Sequence, residues 1–154
     1  MTSTDSIGGT VYSGTFRHGV DEKRRVQVPA DWRPAESSVA LTLMPWPKHQ
    51  AGTCLRVLPP SQLAKMMSEL DAMPNSDPKK PMLKRYIGSE SIQVTVDKAG
   101  RICIPADKAE KASISGEAML VGCLDRFEIW SPERYEQMKK IDEVLSAEAF
   151  QMME

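Results

Sequence analysis

The chain has little of what enzymes and metal sites require. Its 154 residues include 3 cysteines and only 2 histidines, His18 and His49. The two histidines are far apart, and neither has a cysteine or carboxylate at ligand spacing, which argues against a metal site. No nucleophile is paired with a base in the sequence. We therefore expect no catalytic residue and no metal site.

The cysteines also fail to form a recognisable framework. Cys54, Cys103 and Cys123 are odd in number and contain no C-x-x-C pair. Such a pattern indicates reduced thiols in a cytosolic protein, not a disulfide scaffold.

Long apolar runs are missing as well. No stretch of about 18 apolar residues exists, which argues against a transmembrane helix. The opening MTSTDSIGGT has no basic region followed by an apolar one, so it does not resemble a signal peptide. We expect a cytoplasmic protein with no membrane partner and a flexible tail over residues 1–11.

The chain also lacks a strong excess of positive or negative charge, but its charges are unevenly distributed. The net charge of −1 would by itself argue against a nucleic-acid partner. Residues 1–101 nevertheless hold 14 Lys and Arg against 10 Asp and Glu, whereas residues 102–154 hold 6 against 11. A chain polarised in this way can present a locally basic face.

Two segments of the chain are similar, with six of twelve aligned residues identical and two more pairs Val/Ile. VDEKRRVQVPAD, residues 20–31, and VDKAGRICIPAD, residues 96–107, align without a gap at a constant offset of 76 positions. Each copy reads Asp-x-x-x-Arg and then apolar-x-apolar-Pro. This agreement indicates an internal duplication.

Period-two alternation predicts the strands around this block. Residues 15–20 and 91–96 are expected to be half-buried strands, followed by turns and by return strands that end at Pro29 and Pro105. Each copy should thus form a β-hairpin. Second hairpins are predicted from these pairs of segments: 39–44 with 54–58, and 118–122 with 127–130.

Helix signals follow each second hairpin. Ser131, Pro132 and Glu133 suit an N-cap and a first helical turn, and Pro60 stands in the equivalent place. Each copy spans fewer than about 50 residues, which is too few to bury a core alone. We therefore predict a mainly β protein with flanking helices (α+β), in which two copies share a core as a pseudo-twofold β-barrel.

Three stretches carry a resemblance to a known family. They are FRHGVDEKRRVQVPADWR, VTVDKAGRICIPAD and MLVGCLDRFEIWSPERY, and TCLRVLPPSQL adds a weaker one. Over about residues 12–140 the chain resembles the MraZ family, transcriptional regulators of bacterial division and cell-wall gene clusters. The resemblance implies two swapped-hairpin domains of the AbrB/SpoVT type.

The resemblance also implies a domain layout and a set of partners. The expected units are a tail (1–11), a first AbrB/SpoVT-like domain (12–61), a helical linker (62–90), a second such domain (91–134) and a C-terminal helical segment (135–154). The implied partners are double-stranded DNA with repeated promoter boxes and further copies of the chain in a ring-like homo-oligomer. No cofactor and no small-molecule substrate are implied, and the implied location is the cytoplasm, in association with the nucleoid.

By position, the resemblance makes Arg25 and Arg101 the DNA-contact candidates. A guanidinium matches both phosphate and the O6/N7 edge of guanine. The alternative for each is a local salt bridge to the motif acid, Asp21 or Asp97, whose expected role is structural.

Three further cations lie near the first turn. Arg17, Lys23 and Arg24 are candidates for phosphate contacts, with a solvated face as the alternative. Arg24 departs from the family pattern, which usually has glycine there, as Gly100 provides in the second copy. The proline-rich loop from Pro45 to Thr53 is a further departure.

Two other functions stay open from the sequence. One is an AbrB-type antitoxin or similar regulator, although such chains usually carry one barrel half and a disordered tail. The other is a structural assembly protein without a DNA role.

Overall fold

The fold is mixed α and β, as predicted, with antiparallel sheets flanked by helices. The structure is a computed structural model that describes residues 9–154; of the predicted tail, residues 1–8 lie outside the described residues. The strands are β1 (Thr15–Gly19), β2 (Arg25–Gln27), β3 (Leu41–Trp46), β4 (Cys54–Leu58), β5 (Ile92–Val94), β6 (Arg101–Cys103), β7 (Glu117–Gly122) and β8 (Phe127–Trp130). The helices are a 3₁₀ helix (Ala30–Trp32), α1 (Pro60–Ala72), α2 (Lys79–Glu90), α3 (Ala106–Lys111) and α4 (Pro132–Phe150).

The strands form a six-stranded sheet in the order β1-β7-β8-β4-β3-β5 and a separate two-stranded ribbon, β2–β6. All pairs are antiparallel. Strands from the two sequence copies are therefore intermixed within one sheet. The division into domains 12–61 and 91–134 stays a prediction about sequence units.

The predicted first hairpin of each copy is wrong in its strand pairing. The turns form where expected, but β1 pairs with β7, β5 pairs with β3, and β2 pairs with β6. Between the strands flanking the first turn, the structure has the single bridge Val20↔Val26. Local alternation fixes where a strand lies and which face it buries, but not its partner. An isolated two-stranded hairpin is only marginally stable, whereas exchanged strands gain a shared core.

The second hairpins are confirmed, with one adjustment. β7 pairs with β8 and β3 with β4. The loop predicted from Pro45 starts later, because Pro45 and Trp46 continue β3 opposite Leu55 and Cys54. Pro45 lies beyond the part of β3 that pairs with β5, so its missing N–H interrupts no ladder on that edge.

The helix predictions also hold at their starts. Ser131 caps α4, its hydroxyl accepting from the Arg134 backbone N–H at 3.2 Å, and Pro132 begins the helix. α1 begins at Pro60. Within the helical linker expected over residues 62–90, α2 begins at Lys79.

One core joins the ribbon to the sheet, which confirms that the two copies share it. Val26 and Val28 of the first copy and Ile102 and Ile104 of the second are fully buried in the same apolar cluster as Leu120. The cluster lies between the ribbon and the inner face of the six-stranded sheet. A smaller cluster on the outer face, around Trp130 and Met138, is covered by α4.

The shared core predicts that a cavity beneath the ribbon destabilises the whole chain. Ile102→Ala should lower the free energy of unfolding by about 2–5 kcal/mol. Ile92→Ala, at a side chain that is 40% exposed, serves as the control and should cost much less. Urea denaturation measures both values; equal losses would contradict a core that depends on the ribbon.

Candidate nucleic-acid interface

In the first turn, Asp21 organises the backbone and holds Arg25. One carboxylate oxygen accepts the backbone N–H groups of Lys23 at 3.0 Å and Arg25 at 2.8 Å. The other accepts the Arg25 Nε–H at 2.8 Å. The turn is closed by a backbone bond from Arg24 N to Asp21 O at 2.8 Å. The acid is thus structural in this turn, and the Arg25–Asp21 salt bridge is present.

The second turn repeats this arrangement atom for atom. Asp97 accepts the backbone N–H groups of Ala99 and Arg101, both at 2.9 Å, and the Arg101 Nε–H at 3.2 Å. Both salt bridges use Nε, so these bonds leave the terminal Nη groups of Arg25 and Arg101 available for other acceptors.

These bonds favour the ionised form of both acids. The Arg25 backbone N–H, followed by the Arg25 guanidinium, holds the pKa of Asp21 below its ordinary value. The Arg101 backbone N–H and guanidinium do the same for the pKa of Asp97. Both turns therefore keep their geometry at neutral pH.

The ribbon places the two arginines on one outward face. In the β2–β6 register, Arg25 lies opposite Cys103 and Gln27 lies opposite Arg101, while the central pair Val26↔Ile102 is buried. Since side chains alternate along a strand, the four flanking residues share the face opposite the core. A local twofold axis through the central pair relates Arg25 to Arg101. As diagonal neighbours in an antiparallel pair, the two residues are expected to lie about 7–8 Å apart, with their Cβ atoms somewhat closer.

Arg24 and Gly100 occupy equivalent positions, and both have positive φ, 60° and 85° respectively. Their carbonyls accept equivalent backbone bonds, from Ile104 N at 2.9 Å and from Val28 N at 2.8 Å. The unexpected arginine therefore adopts the backbone that the glycine adopts in the second copy. Its side chain returns across the ribbon, where Nε donates to Ile104 O at 3.0 Å.

Arg33 is a residue of this surface that the sequence reasoning missed. Its Nε donates to Val28 O at 2.9 Å, which is the carbonyl equivalent to Ile104 O. It passes directly over Gly100, where an added Cβ would clash with the Arg33 guanidinium. Each half of the ribbon thus has one arginine that donates to the equivalent carbonyl. This arginine comes from position 24 in one half and from position 33 in the other. The sequence contains an indication of this exchange. At the 76-residue offset, Arg24 aligns with Gly100, and Arg33 aligns with Ala109.

The remaining cations divide between the ribbon and other surfaces. Lys23 is exposed beside the first turn, and among the described residues it has no carboxylate within salt-bridge distance. Arg17 is instead paired with Glu117 at 2.8 Å, and the charges of Glu136 and Glu133 act on it as well. The structure therefore groups Lys23 and Arg24 with the arginines of the ribbon and places Arg17 among carboxylates.

Other kinds of site find no support in the described part of the chain. No group of three or more His, Cys, Asp or Glu in residues 9–154 is arranged to hold a metal. Burial raises the pKa of the Cys54 thiol and raises that of Cys123 to about 12, so these two thiols stay protonated. Within the same residues, no helix is long and apolar enough to cross a bilayer.

The equivalent roles of Arg24 and Arg33 predict that substitutions at positions 33 and 100 compensate for each other. Arg33→Ala leaves Val28 O without its donor and should cost about 1 kcal/mol of unfolding free energy. Gly100→Arg alone should cost about 1–3 kcal/mol, because it crowds Arg33. In the double variant, the new arginine can reach Val28 O as Arg24 reaches Ile104 O, so the two losses should couple favourably by about 0.5–3 kcal/mol.

Urea denaturation of the four proteins measures this coupling. Gly88→Arg is the matched control, since a Cβ at Gly88 meets nothing within 4 Å and its effect should simply add to that of Arg33→Ala. Additive losses for Arg33→Ala and Gly100→Arg would show that the two positions do not exchange roles.

The lowered pKa values predict how the turns respond to acid. Since the unfolded carboxyls take up protons at higher pH than the folded ones, the stabilisation is complete above about pH 4 and is lost as the pH falls through the folded pKa. In an NMR titration, the Asp21 carboxyl carbon and the Arg25 amide proton should shift together, with a midpoint below the ordinary Asp value. In Asp21→Asn the Arg25 amide should lose this step. A step that persists in that variant would rule out the bond to Asp21 as its cause.

Comparison with known proteins gives a consistent result. A family model described as "MraZ protein, putative antitoxin-like" matches residues 88–153. The chain is similar to Transcriptional regulator MraZ of Ruegeria sp. (strain TM1040), with 27% identity over 85% of this chain and 83% of the relative. The protein of the same name from Dictyoglomus thermophilum is 29% identical, over 88% of this chain and 89% of its own length. That from Lactiplantibacillus plantarum is 28% identical, over 84% and 88% respectively.

Transcriptional regulation is not an enzymatic role, so these names agree with the absence of catalytic residues predicted from the sequence. The relatives align with most of the chain, and the family model covers the second copy of the repeat together with α4. The chain is thus similar to the MraZ family model over residues 88–153 and to MraZ transcriptional regulators over most of its length.

Proposed function

We propose that this protein regulates transcription by binding double-stranded DNA through the outward face of the β2–β6 ribbon. The names of its curated relatives support a regulatory role. The observation that carries the proposal is the arrangement of Arg25 and Arg101, each anchored by its own aspartate on one exposed face. The role of repressor of a division and cell-wall gene cluster, including its own operon, is part of the proposal, as is a cytoplasmic, nucleoid-associated location.

The dimensions of the ribbon suit duplex DNA. A two-stranded β-ribbon fits the major groove. The separation of about 7–8 Å between Arg25 and Arg101 is close to the rise of two base pairs, about 6.8 Å. With Nε held by aspartate, the Nη groups of each arginine can donate to guanine O6 and N7. Because a local twofold axis relates the arginines, the preferred box should be approximately symmetric about its centre.

Phosphate contacts are assigned to the residues at the rim of this face. Lys23 is exposed beside the first turn and is the strongest candidate. The Nε of Arg24 is bonded to Ile104 O, so Arg24 acts mainly on the shape of the turn and offers its terminal nitrogens to a phosphate. Arg33 plays the equivalent structural role in the second turn. Arg17 is a weak candidate, because its carboxylate neighbours repel phosphate.

A single ribbon offers few contacts, and the net charge of −1 adds no long-range attraction. We therefore propose a ring-like homo-oligomer that engages repeated boxes in a promoter. Linking several weak modules raises avidity by about 10²–10⁴ without new contacts. The antitoxin role, suggested by the description of the family model, would need a toxin partner that competes with or supplements DNA.

The proposal predicts a specific loss of DNA affinity. Arg25→Ala and Arg101→Ala should each weaken binding to a single promoter box by about 1–3 kcal/mol, because each removes a bidentate base contact. Lys23→Ala should instead lower the slope of log K against log salt by about 0.9. Fluorescence anisotropy with DNA from the chain's own upstream region measures both effects.

Arg85→Ala, at an exposed arginine in α2 distant from the ribbon, is the control and should bind as the wild type does. Thermal unfolding of each variant checks that the fold is intact. A folded Arg25→Ala/Arg101→Ala double variant with wild-type affinity would refute the ribbon as the DNA-binding face.

A further inference from the structure

The outer face of the six-stranded sheet carries a groove that the DNA-binding proposal does not use. It lies between α1 and α4, on the side of the sheet opposite the ribbon. A cavity of about 530 Å³ forms its α1 side. Its polar lining is mainly basic, from Lys48, Arg56, Lys65 and Arg126, against the acids Glu69 and Asp125.

Two arginines in this groove are short of acceptors. The Nε atoms of Arg56 and Arg126 are buried and have no hydrogen-bond partner among the described residues. Burial, followed by the charge of Arg126, lowers the pKa of Arg56, whose guanidinium lies 3.7 Å from the centre of the Trp46 ring. The nearest carboxylate to Arg126 is Asp125, at 3.5 Å. Glu128 lies opposite Arg56 in the β4–β8 register and offsets part of its charge. The two unbonded Nε–H groups remain costly to bury, so the groove favours an anionic partner.

The groove is also apolar, which restricts the kind of anion. Side chains from α1 and α2, including Met66, Leu70, Leu83 and Ile87, line its other wall. DNA or a free phosphate would leave this wall uncovered. A peptide segment with both carboxylates and large apolar side chains would cover the wall and pair with the arginines.

The last part of this same chain has that composition. Beyond Asp142, which is bonded to His49 at 2.9 Å, the segment 143–154 is almost entirely exposed. Val144, Phe150 and Met152 are 83%, 72% and 88% exposed. The segment contains three glutamates and no Lys or Arg. Apolar side chains exposed to this degree along one segment indicate a missing partner surface.

Within one chain, the groove leaves most of the segment uncovered. Only Leu145 of the segment lines the cavity beside Arg56, and α4 continues as a helix to Phe150, so Val144, Phe150 and Met152 stay exposed. We propose that the groove around Arg56 and Arg126 binds the segment 143–154 of a second copy. The contact joins two different surfaces, so it can repeat from copy to copy and close a ring. It rests on the proposed homo-oligomer and specifies the surfaces that build it.

Mixing two complementary variants tests the contact directly. The groove variant is Lys65→Glu/Arg126→Glu, and the segment variant is Glu143→Gln/Glu148→Gln/Phe150→Ala. Each full-length variant alone should be monomeric by light scattering, with self-association weakened about tenfold or more. Mixed in equal amounts, they should form a 1:1 heterodimer and nothing larger, because one intact groove and one intact segment remain.

Glu36→Gln/Glu110→Gln, at two exposed glutamates outside both surfaces, is the control and should assemble as the wild type does. Circular dichroism checks the fold of every variant. A monomeric wild type, variants that still assemble, or monomeric variants that form no heterodimer when mixed would each overturn the proposal.

Single-box DNA binding separates this proposal from the proposed function. The groove variant should bind one box as the wild type does, since the ribbon lies on the opposite side of the sheet. If the wild type binds no DNA while the mixing experiment succeeds, the DNA-binding proposal fails and the assembly contact stands.

Discussion

The pairing of Val26 with Ile102 across the two sequence copies is the contact on which the rest of the structure depends. This buried pair forms the centre of the ribbon and connects it to the core shared with the six-stranded sheet. Because a strand alternates its faces, burying this pair turns Arg25 and Arg101 outward together. The same antiparallel register makes the two turns equivalent. A single packing requirement thus creates both the core and the symmetric basic face.

Much of this could be read from the sequence, and the exceptions have clear physical causes. The duplicated block located the two turns, their acids and the strand ends at Pro29 and Pro105. It did not reveal that strands exchange partners, because alternation fixes which face a strand buries but carries no information about its neighbour. The extension of β3 through Pro45 was missed for a related reason: a proline is excluded only where its N–H would be needed in a ladder.

The site shows the same division between local and long-range information. The salt bridges Asp21–Arg25 and Asp97–Arg101 are contacts within a turn, and both were anticipated, though as an alternative to DNA contact. In the structure the bridge uses Nε, which is compatible with base contact through Nη.

The role of Arg33 depends on a contact with Val28 and on the space above Gly100. Gly100 is far from Arg33 in sequence, so local patterns could not reveal this space, although the exchange of arginine between positions 24 and 33 was a visible sign of it. Arg17 was grouped with the first turn by sequence distance, but its strand directs it to Glu117.

The central claim is that both turns of the ribbon contact DNA as one symmetric surface. Amide hydrogen exchange, measured with and without a single-box DNA duplex, tests it most directly. The account predicts new protection in two matching segments, residues 21–27 and 97–103, with no change at the groove between α1 and α4. Protection confined to one turn, or located on the lysine-bearing helix α2 instead, would contradict it.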